Sequence, residues 1–364
     1  MVNATEDRDF SFGEGAHMPK NIVFCADGTW NRPGKTDTSL VANTNVYKIF
    51  KAILISSEQI SSYDDGVGSD GTPIDKLAGG AIGEGLFQKI KDGYTFIAHN
   101  YNPGDQIYIF GFSRGAYTAR SLAGLIAICG LPEPSKFTRD AVDSAFQVYR
   151  ARTNRDSMLE DLKQKYGNNT TNVEISMVGV WDTVGALGIP GDIFEGLDTN
   201  IYGFLDTSLH EDVKYACHAL SIDEKRAEFV PTLWNQQPEG GAGRLDQVWF
   251  SGVHADVGGG YYESGLSSIT LRWMIEKANS RGVKFDQKVL DIYMNIDQKH
   301  ALDIQHFSWN PFWGFPQQRI IPDNATISNS VKIRIDNDPD YRPENLKFSS
   351  LKDLSNNYKI ANVV

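Results

Sequence analysis

Four near-continuous apolar runs, each halted by one polar residue, constrain this chain more than any other feature. Asn21–Ala26 (NIVFCA) stops at Asp27, Gln106–Phe112 (QIYIFGF) at Ser113, Val173–Trp181 (VEISMVGVW) at Asp182, and Gln247–Val253 (QVWFSGV) at His254. Short runs that stay apolar at both parities fit strands of a parallel sheet covered on both faces. Helical patterns lie between and beyond them, over Asn45–Ile55, Gly85–Asn100, Thr118–Cys129, Thr138–Tyr149, Asp156–Tyr166, Leu209–Leu220 and Ser267–Ala278. Strands alternating with helices of ten or more residues imply βαβ crossovers and a doubly wound α/β sheet. Ligands of such sheets bind beyond the carboxyl ends of the strands. Asp27, Ser113, Asp182 and His254 are therefore expected along one edge.

The 364 residues are read as one elaborated domain over residues 20–348. The excursions 132–170 and 186–246 are expected as cap or lid insertions. Residues 1–19 are expected to be flexible, Ile304–Pro322 to form an ordered wrap, and 349–364 a C-terminal tail. With 19 Phe, 15 Tyr and 7 Trp the chain has material for a large core, which excludes a disordered class. A net charge of −11 without a basic run argues against nucleic acid as a partner. Cys25, Cys129 and Cys217 stand in apolar surroundings without metal-type spacing and are expected to be buried free thiols. The longest apolar helical stretch, Leu122–Leu131, is too short to span a bilayer. Met1–Lys20 shows no signal-peptide core. The chain is expected to be cytoplasmic as synthesised, with export by a signal-independent route left open.

Gly111-Phe112-Ser113-Arg114-Gly115 is a G-x-S-x-G motif with a strand pattern before it and a helical pattern after it, the context a nucleophile elbow requires. Glycines at its ends let the backbone turn sharply around the serine. The following helix would bring the Arg114 N–H to a developing oxyanion. A serine nucleophile needs a base, and the base an orienting acid, in the chain order Ser, Asp, His for this fold class. Asp182 and His254 supply that order, each directly after an apolar run. The second oxyanion donor is expected from Gly28 or Thr29, with Asp27 capping its own turn.

Other readings stay open at this level. Asp27, Asp256 and His254 are suitable ligands for a divalent metal that would assist hydrolysis, although the spacing of a metal motif is absent and no cofactor is required by the serine mechanism. The glycines of Gly79–Gly85 lack a phosphate-loop lysine and read as a structural turn. A catalytically silent module that docks a partner in its cleft is the non-enzyme alternative.

Longer motifs add a family. Asp27–Asn31 (DGTWN), Tyr63–Gly68 (YDDGVG), Gly111–Arg120 (GFSRGAYTAR), Val180–Gly185 (VWDTVG) and Trp249–Tyr261 (WFSGVHADVGGGY) occur in one order. Together they resemble the DUF2235 α/β-hydrolase domain family, which includes the first class of type VI secretion lipase effectors. The resemblance implies an α/β-hydrolase fold and a Ser113-Asp182-His254 triad. It also implies ester or phospholipid acyl-ester hydrolysis, contact with a membrane surface, and an immunity or secretion partner. Ala255 stands where the family often has Ser, and the chain is close to a bare hydrolase domain.

Overall fold

The computed structural model describes residues 18–28, 42–66, 81–167, 173–185, 208–235 and 243–364. Its frame is an eight-stranded sheet in the order β2-β1-β3-β4-β5-β6-β7-β8, parallel throughout. The strands are β1 (Asn21–Ala26), β2 (Gln59–Asp64), β3 (Gln106–Phe112), β4 (Ile175–Trp181), β5 (Ala216–Ser221), β6 (Leu245–Phe250), β7 (Thr326–Ser328) and β8 (Lys359–Ala361). The helices are α1 (Asn45–Ala52), α2 (Ala81–Asn100), α3 (Arg114–Cys129), α4 (Arg139–Arg150), α5 (Arg155–Tyr166), α6 (His254–Gly258), α7 (Gly265–Ser280), α8 (Gln287–Met294), α9 (Asn329–Asn337) and α10 (Leu351–Asn357). The doubly wound α/β class read from the sequence is the class observed.

Alternate residues of the central strands feed two cores. Ile22, Phe24, Ile107 and Ile109 join α2, α3, α4 and α5 on one face. Val23, Cys25, Tyr108, Phe110 and Phe112 join α1 and α7 on the other. Both faces are covered, which is why these strands are apolar at every position. All three cysteines are buried and free. A third cluster, with Trp249, Ile327, Val331 and Leu354, packs α9 and α10 on the far end of the sheet.

The structure departs from expectation in five places. Leu209–Leu220 is not a helix: its second half is β5, a central strand with all six residues buried. ACHALS is apolar without a strand-specific period and rich in helix formers, so only the pairing with β4 and β6 reveals it. The stretch 186–246 thus contains a core strand in its described part, while residues 186–207 and 236–242 lie outside the described residues. The excursion 132–170 supplies α4 and α5, which pack in the same core as α2 and α3. Residues 349–364 carry α10 and the edge strand β8, which pairs with β7. Of the expected flexible segment 1–19, residues 1–17 lie outside the described residues, as do Gly79 and Gly80; from Ala81 the stretch read as a structural turn is instead the start of α2.

The order in which strands are added across the sheet reverses at β1: β2 lies on one side of it and β3 on the other. That switch point is where a parallel sheet opens a crevice at its carboxyl edge. Asp27 follows β1 there and Ser113 follows β3.

Candidate active site

Ser113 links β3 to α3 with φ 59° and ψ −124°, a conformation that costs a non-glycine residue on the order of 1–3 kcal/mol and clusters at functional sites. Crowding enforces it. A Cβ on Gly115 would lie 2.2 Å from the Ala26 carbonyl oxygen, and one on Gly111 would lie 2.4 Å from the Gly115 carbonyl oxygen. The turn can close only on glycine at both positions. Ser113 N–H donates to Trp181 O at 3.1 Å, tying the elbow to the end of β4. Arg114 opens α3, so its amide belongs to the first helical turn, whose donors favour an anion.

Asp182 follows β4, also at positive φ (42°), and is fully buried. Its Oδ2 lies 2.5 Å from His254 Nδ1. Burial by itself would raise the Asp182 carboxyl, but the Arg319 charge and the His254 contact outweigh it and hold the group below the usual carboxylate range. An ionised carboxylate can only accept, so Nδ1 carries the proton and Nε2, on the other side of the ring, is the basic nitrogen. Burial lowers the His254 imidazole, with Asp182 opposing the shift.

His254 is the first residue of α6, a single turn whose N-terminus is closed by Asp256: the Val253 N–H donates to Asp256 Oδ2 at 3.0 Å. The imidazole ring packs 4.6 Å from Phe112, the residue before Ser113, and 4.9 Å edge-on from Phe229. Thus Ser113, Asp182 and His254 end adjacent or near-adjacent parallel strands, and His254 contacts both Asp182 and the residue next to Ser113.

The expected oxyanion donors fare unequally. The Gly28 N–H donates to Asp27 Oδ1 at 2.7 Å, so it is already engaged, and Thr29 lies outside the described residues. Asp27 does cap its turn, and its Oδ2 also accepts from Thr44 Oγ1 at 2.5 Å and Tyr63 OH at 2.6 Å. The metal reading gathers no support from the side chains. Asp27 is committed to that cluster, Asp256 lies 2.6 Å from His306 Nδ1, and His254 faces Asp182. Among the described residues no group of three or more His, Cys, Asp or Glu side chains is arranged to hold a metal ion.

Sequence reasoning missed three contributors. Arg319 meets Asp182 with both terminal nitrogens, Nη1 to Oδ1 at 2.6 Å and Nη2 to Oδ2 at 2.8 Å. Ser221, at the end of the unrecognised β5, donates its N–H to Asp182 Oδ1 at 2.9 Å. Glu224 accepts from the His254 N–H at 3.2 Å and from Arg226 Nε and Nη2. Burial would raise Glu224, yet Arg226 draws it down to about 2. His218, read as helical, sits instead inside β5, where its Nε2 accepts from the Thr183 N–H and burial, with the Arg120 charge, pushes the ring down to about 3. It is neutral and committed. No local pattern marks Arg319, which lies 137 residues from its partner in a stretch without periodicity.

A parallel doubly wound sheet with a strained serine at its switch point, and a buried Asp-His pair beside it, defines a domain of the α/β-hydrolase class. The chain belongs, more particularly, to the family of type VI secretion phospholipase effector Tle1-like catalytic domains, which matches residues 20–277. It is 29% identical over 256 residues to the uncharacterized protein YEL023C of Saccharomyces cerevisiae, covering 64% of this chain and 35% of that one. The chain thus spans about a third of the length of that relative. Among solved structures it is similar to an uncharacterized protein from Pseudomonas aeruginosa, at 18% identity and a TM-score of 0.46, covering 78% of this chain and 50% of that one. It is also similar to the Tle1 effector bound to the VgrG spike of the type VI secretion system, at 17% identity and a TM-score of 0.37, covering 71% and 56%. No described helix is long and apolar enough to cross a membrane.

Proposed function

We propose that this chain is a serine hydrolase of carboxylic esters, phospholipid acyl esters among them, working through an acyl-enzyme. Ser113 Oγ attacks the ester carbonyl while His254 Nε2 takes its proton. The imidazolium then returns that proton to the leaving alcohol, and a water activated in the same way releases the acid. Asp182 fixes the tautomer and stabilises the imidazolium. The Arg114 N–H receives the oxyanion, joined by Thr29, or by Gly28 once Asp27 releases it. The observation that carries this reading is the buried 2.5 Å contact between Asp182 and His254 on the edge that holds the strained Ser113.

Two features favour a lipid as the ester. The family's own description is that of a phospholipase effector. The segment that delivers Arg319 also exposes Phe307, Phe315 and Ile320, while Arg319 and Ile321 beside them are buried. Exposed apolar side chains next to a catalytic edge suit peripheral contact with a lipid surface. An effector role would add signal-independent export and an immunity or secretion partner. The test combines a fluorophosphonate probe with p-nitrophenyl esters of increasing chain length and phosphatidylcholine vesicles. Ser113-dependent labelling with hydrolysis of both substrate types is expected. A folded protein that neither labels nor turns over any of them would move the reading to a silent docking module.

A further inference from the structure

We infer that Arg319 is the positioning residue of this site: its two terminal nitrogens lock and neutralise Asp182, so that a segment outside the family-matched region sets the acid limit of turnover. The inference rests on the proposed triad, and it goes beyond it in assigning control of the Asp-His pair to a residue that no motif contains.

The geometry is specific. Both side chains are sealed from solvent, at 2% and 0% exposure. Besides its fork on Asp182, Arg319 donates from Nη1 to Ser221 O at 2.9 Å and from Nη2 to Phe229 O at 2.7 Å. It therefore holds at once the acid, the end of β5 and the backbone of Phe229, whose ring packs on His254. Its own backbone is held: Asn345 Nδ2 donates to both Arg319 O and Ile222 O. The surrounding segment is tied down beside the site by the Gln317 N–H on Lys225 O, by Ser308 Oγ on Glu224 and by His306 on Asp256. The family model matches residues 20–277. The nucleophile, acid and base come from inside that region, and the group that orients the acid comes from outside it.

A purely structural ion pair would contribute little net stability, because desolvating both charges offsets most of their attraction. The consequence for chemistry is larger. A carboxylate held by neutral amides presents its whole charge to the imidazolium. Asp182 shares its charge with Arg319 and presents less. The other charged or titratable groups around the pair are Arg226 and Glu224 on the His254 side and His218 beside β4 and β5. Arg226 and Glu224 are paired with each other, and His218 is neutral. Arg226 also opposes protonation of the ring, offset by its partner Glu224, and Arg120 faces His218; Arg319 is the cation in direct contact with the acid of the pair. Removing it makes the first proton bind at higher pH, whichever of Asp182 and His254 carries it.

The experiment uses the full chain with Arg319→Met and Arg319→Lys, kcat/KM against pH on p-nitrophenyl acetate, and NMR titration of the His254 ring in a Ser113→Ala background. Arg319→Met is expected to move the acid limb and the ring titration upward by about one pH unit, with kcat down ~10- to 100-fold and KM little changed. Arg319→Lys keeps the charge and loses the fork, so its limb stays in place while kcat falls about 10-fold. A folded Arg319→Met with an unmoved limb overturns the inference. If Arg319→Met does not fold, a wild-type kcat in Arg319→Lys overturns it. Should the wild type prove inactive and unlabelled, the hydrolase reading fails on its own, and the ring titration still reports whether Arg319 governs proton uptake.

Discussion

The two sides of the site are built by different means. The side of the proposed nucleophile is made of backbone: a strained serine, two glycines that cannot accept a methyl group, and carbonyls 2.2–2.4 Å from where that methyl would sit. The acid-base side is made of charged side chains drawn from distant parts of the chain, Arg319 on Asp182 and Arg226 on Glu224 behind His254. The residues of the first side are neighbours in one motif, and their close packing, even against Ala26 of β1, is insensitive to pH. Charge networks are long-range, and they inherit the titration of every member.

The largest expected effect tests whether the two sides work as one machine. Ser113→Ala, Asp182→Asn and His254→Ala should each lower turnover on p-nitrophenyl esters by on the order of 10³-fold or more, and pairs of them should add little further. Thermal melts of Ser113→Ala should match wild type, since the hydroxyl leaves little space behind. If Ser113→Ala keeps most of its rate, or if His218→Ala is the severe histidine variant, the triad must be redrawn. Next in size is the methyl test of the backbone-built side. Gly115→Ala places a Cβ against Ala26 O, and the strand or helix must give way. A destabilisation of about 3 kcal/mol by urea titration is expected, with fluorophosphonate labelling lost even in the fraction that folds. A benign Gly115→Ala would mean that the elbow is softer than its contacts imply.

The same contrast explains what could be read in the sequence. Gly111, Ser113 and Gly115 are neighbours in a motif flanked by a strand and a helix, so local order announced them. Asp182 and His254 were legible because parallel topology puts strand ends on one edge, and each directly follows an apolar run. Arg319 was not legible: an arginine between glutamine and isoleucine has no period, and its meaning depends on a fold that brings residues 182 and 319 together. β5 was hidden because a strand buried on both faces has no alternation, and Ala-Cys-His-Ala-Leu suits a helix equally well. β7 and β8, three residues each, are too short for any pattern to show.

The charge-built side should betray itself through acid. Glu224 is drawn from its ordinary 4.5 to about 2 in the folded protein. A depressed carboxyl contributes stability that is complete above its unfolded value and is lost as pH falls through the folded one. Its share, about 3 kcal/mol by linkage, should therefore disappear between roughly pH 4.5 and 2, and Asp182 should extend the loss further down. Glu224→Gln should flatten the dependence of urea midpoints on pH in that window. Asp223 works oppositely: burial raises it to about 6, so the stability it favours is present below its unfolded value and fades as pH rises toward 6. In the proposed mechanism catalysis has its own acid limit, that of the Asp182-His254 pair. Burial lowers the His254 ring, so the midpoint of the kcat/KM limb is expected below the ordinary 6.5. A midpoint above 6.5 would show that Asp182 stabilises the imidazolium more than burial opposes it.

The smallest expected effect is none, and it separates the charge network from a metal centre. Asp27, Asp256 and His254 have ligand chemistry, yet each is engaged within the protein: Thr44 and Tyr63 donate to Asp27, Val253 and His306 to Asp256, and His254 Nδ1 donates to Asp182. To share an ion they would have to abandon three separate hydrogen-bonded clusters, one of which holds the loop that carries His254. A base that transfers protons must also keep its lone pair available, which a coordinated imidazole cannot do. EDTA should therefore leave the initial rate on p-nitrophenyl acetate unchanged. Loss of turnover on chelation, restored by a divalent ion and accompanied by a mild Ser113→Ala phenotype, would replace the serine with a metal-bound water as the nucleophile. A chelator effect on melting temperature alone, with the rate intact, would assign any ion a place in the scaffold and leave the nucleophile with Ser113.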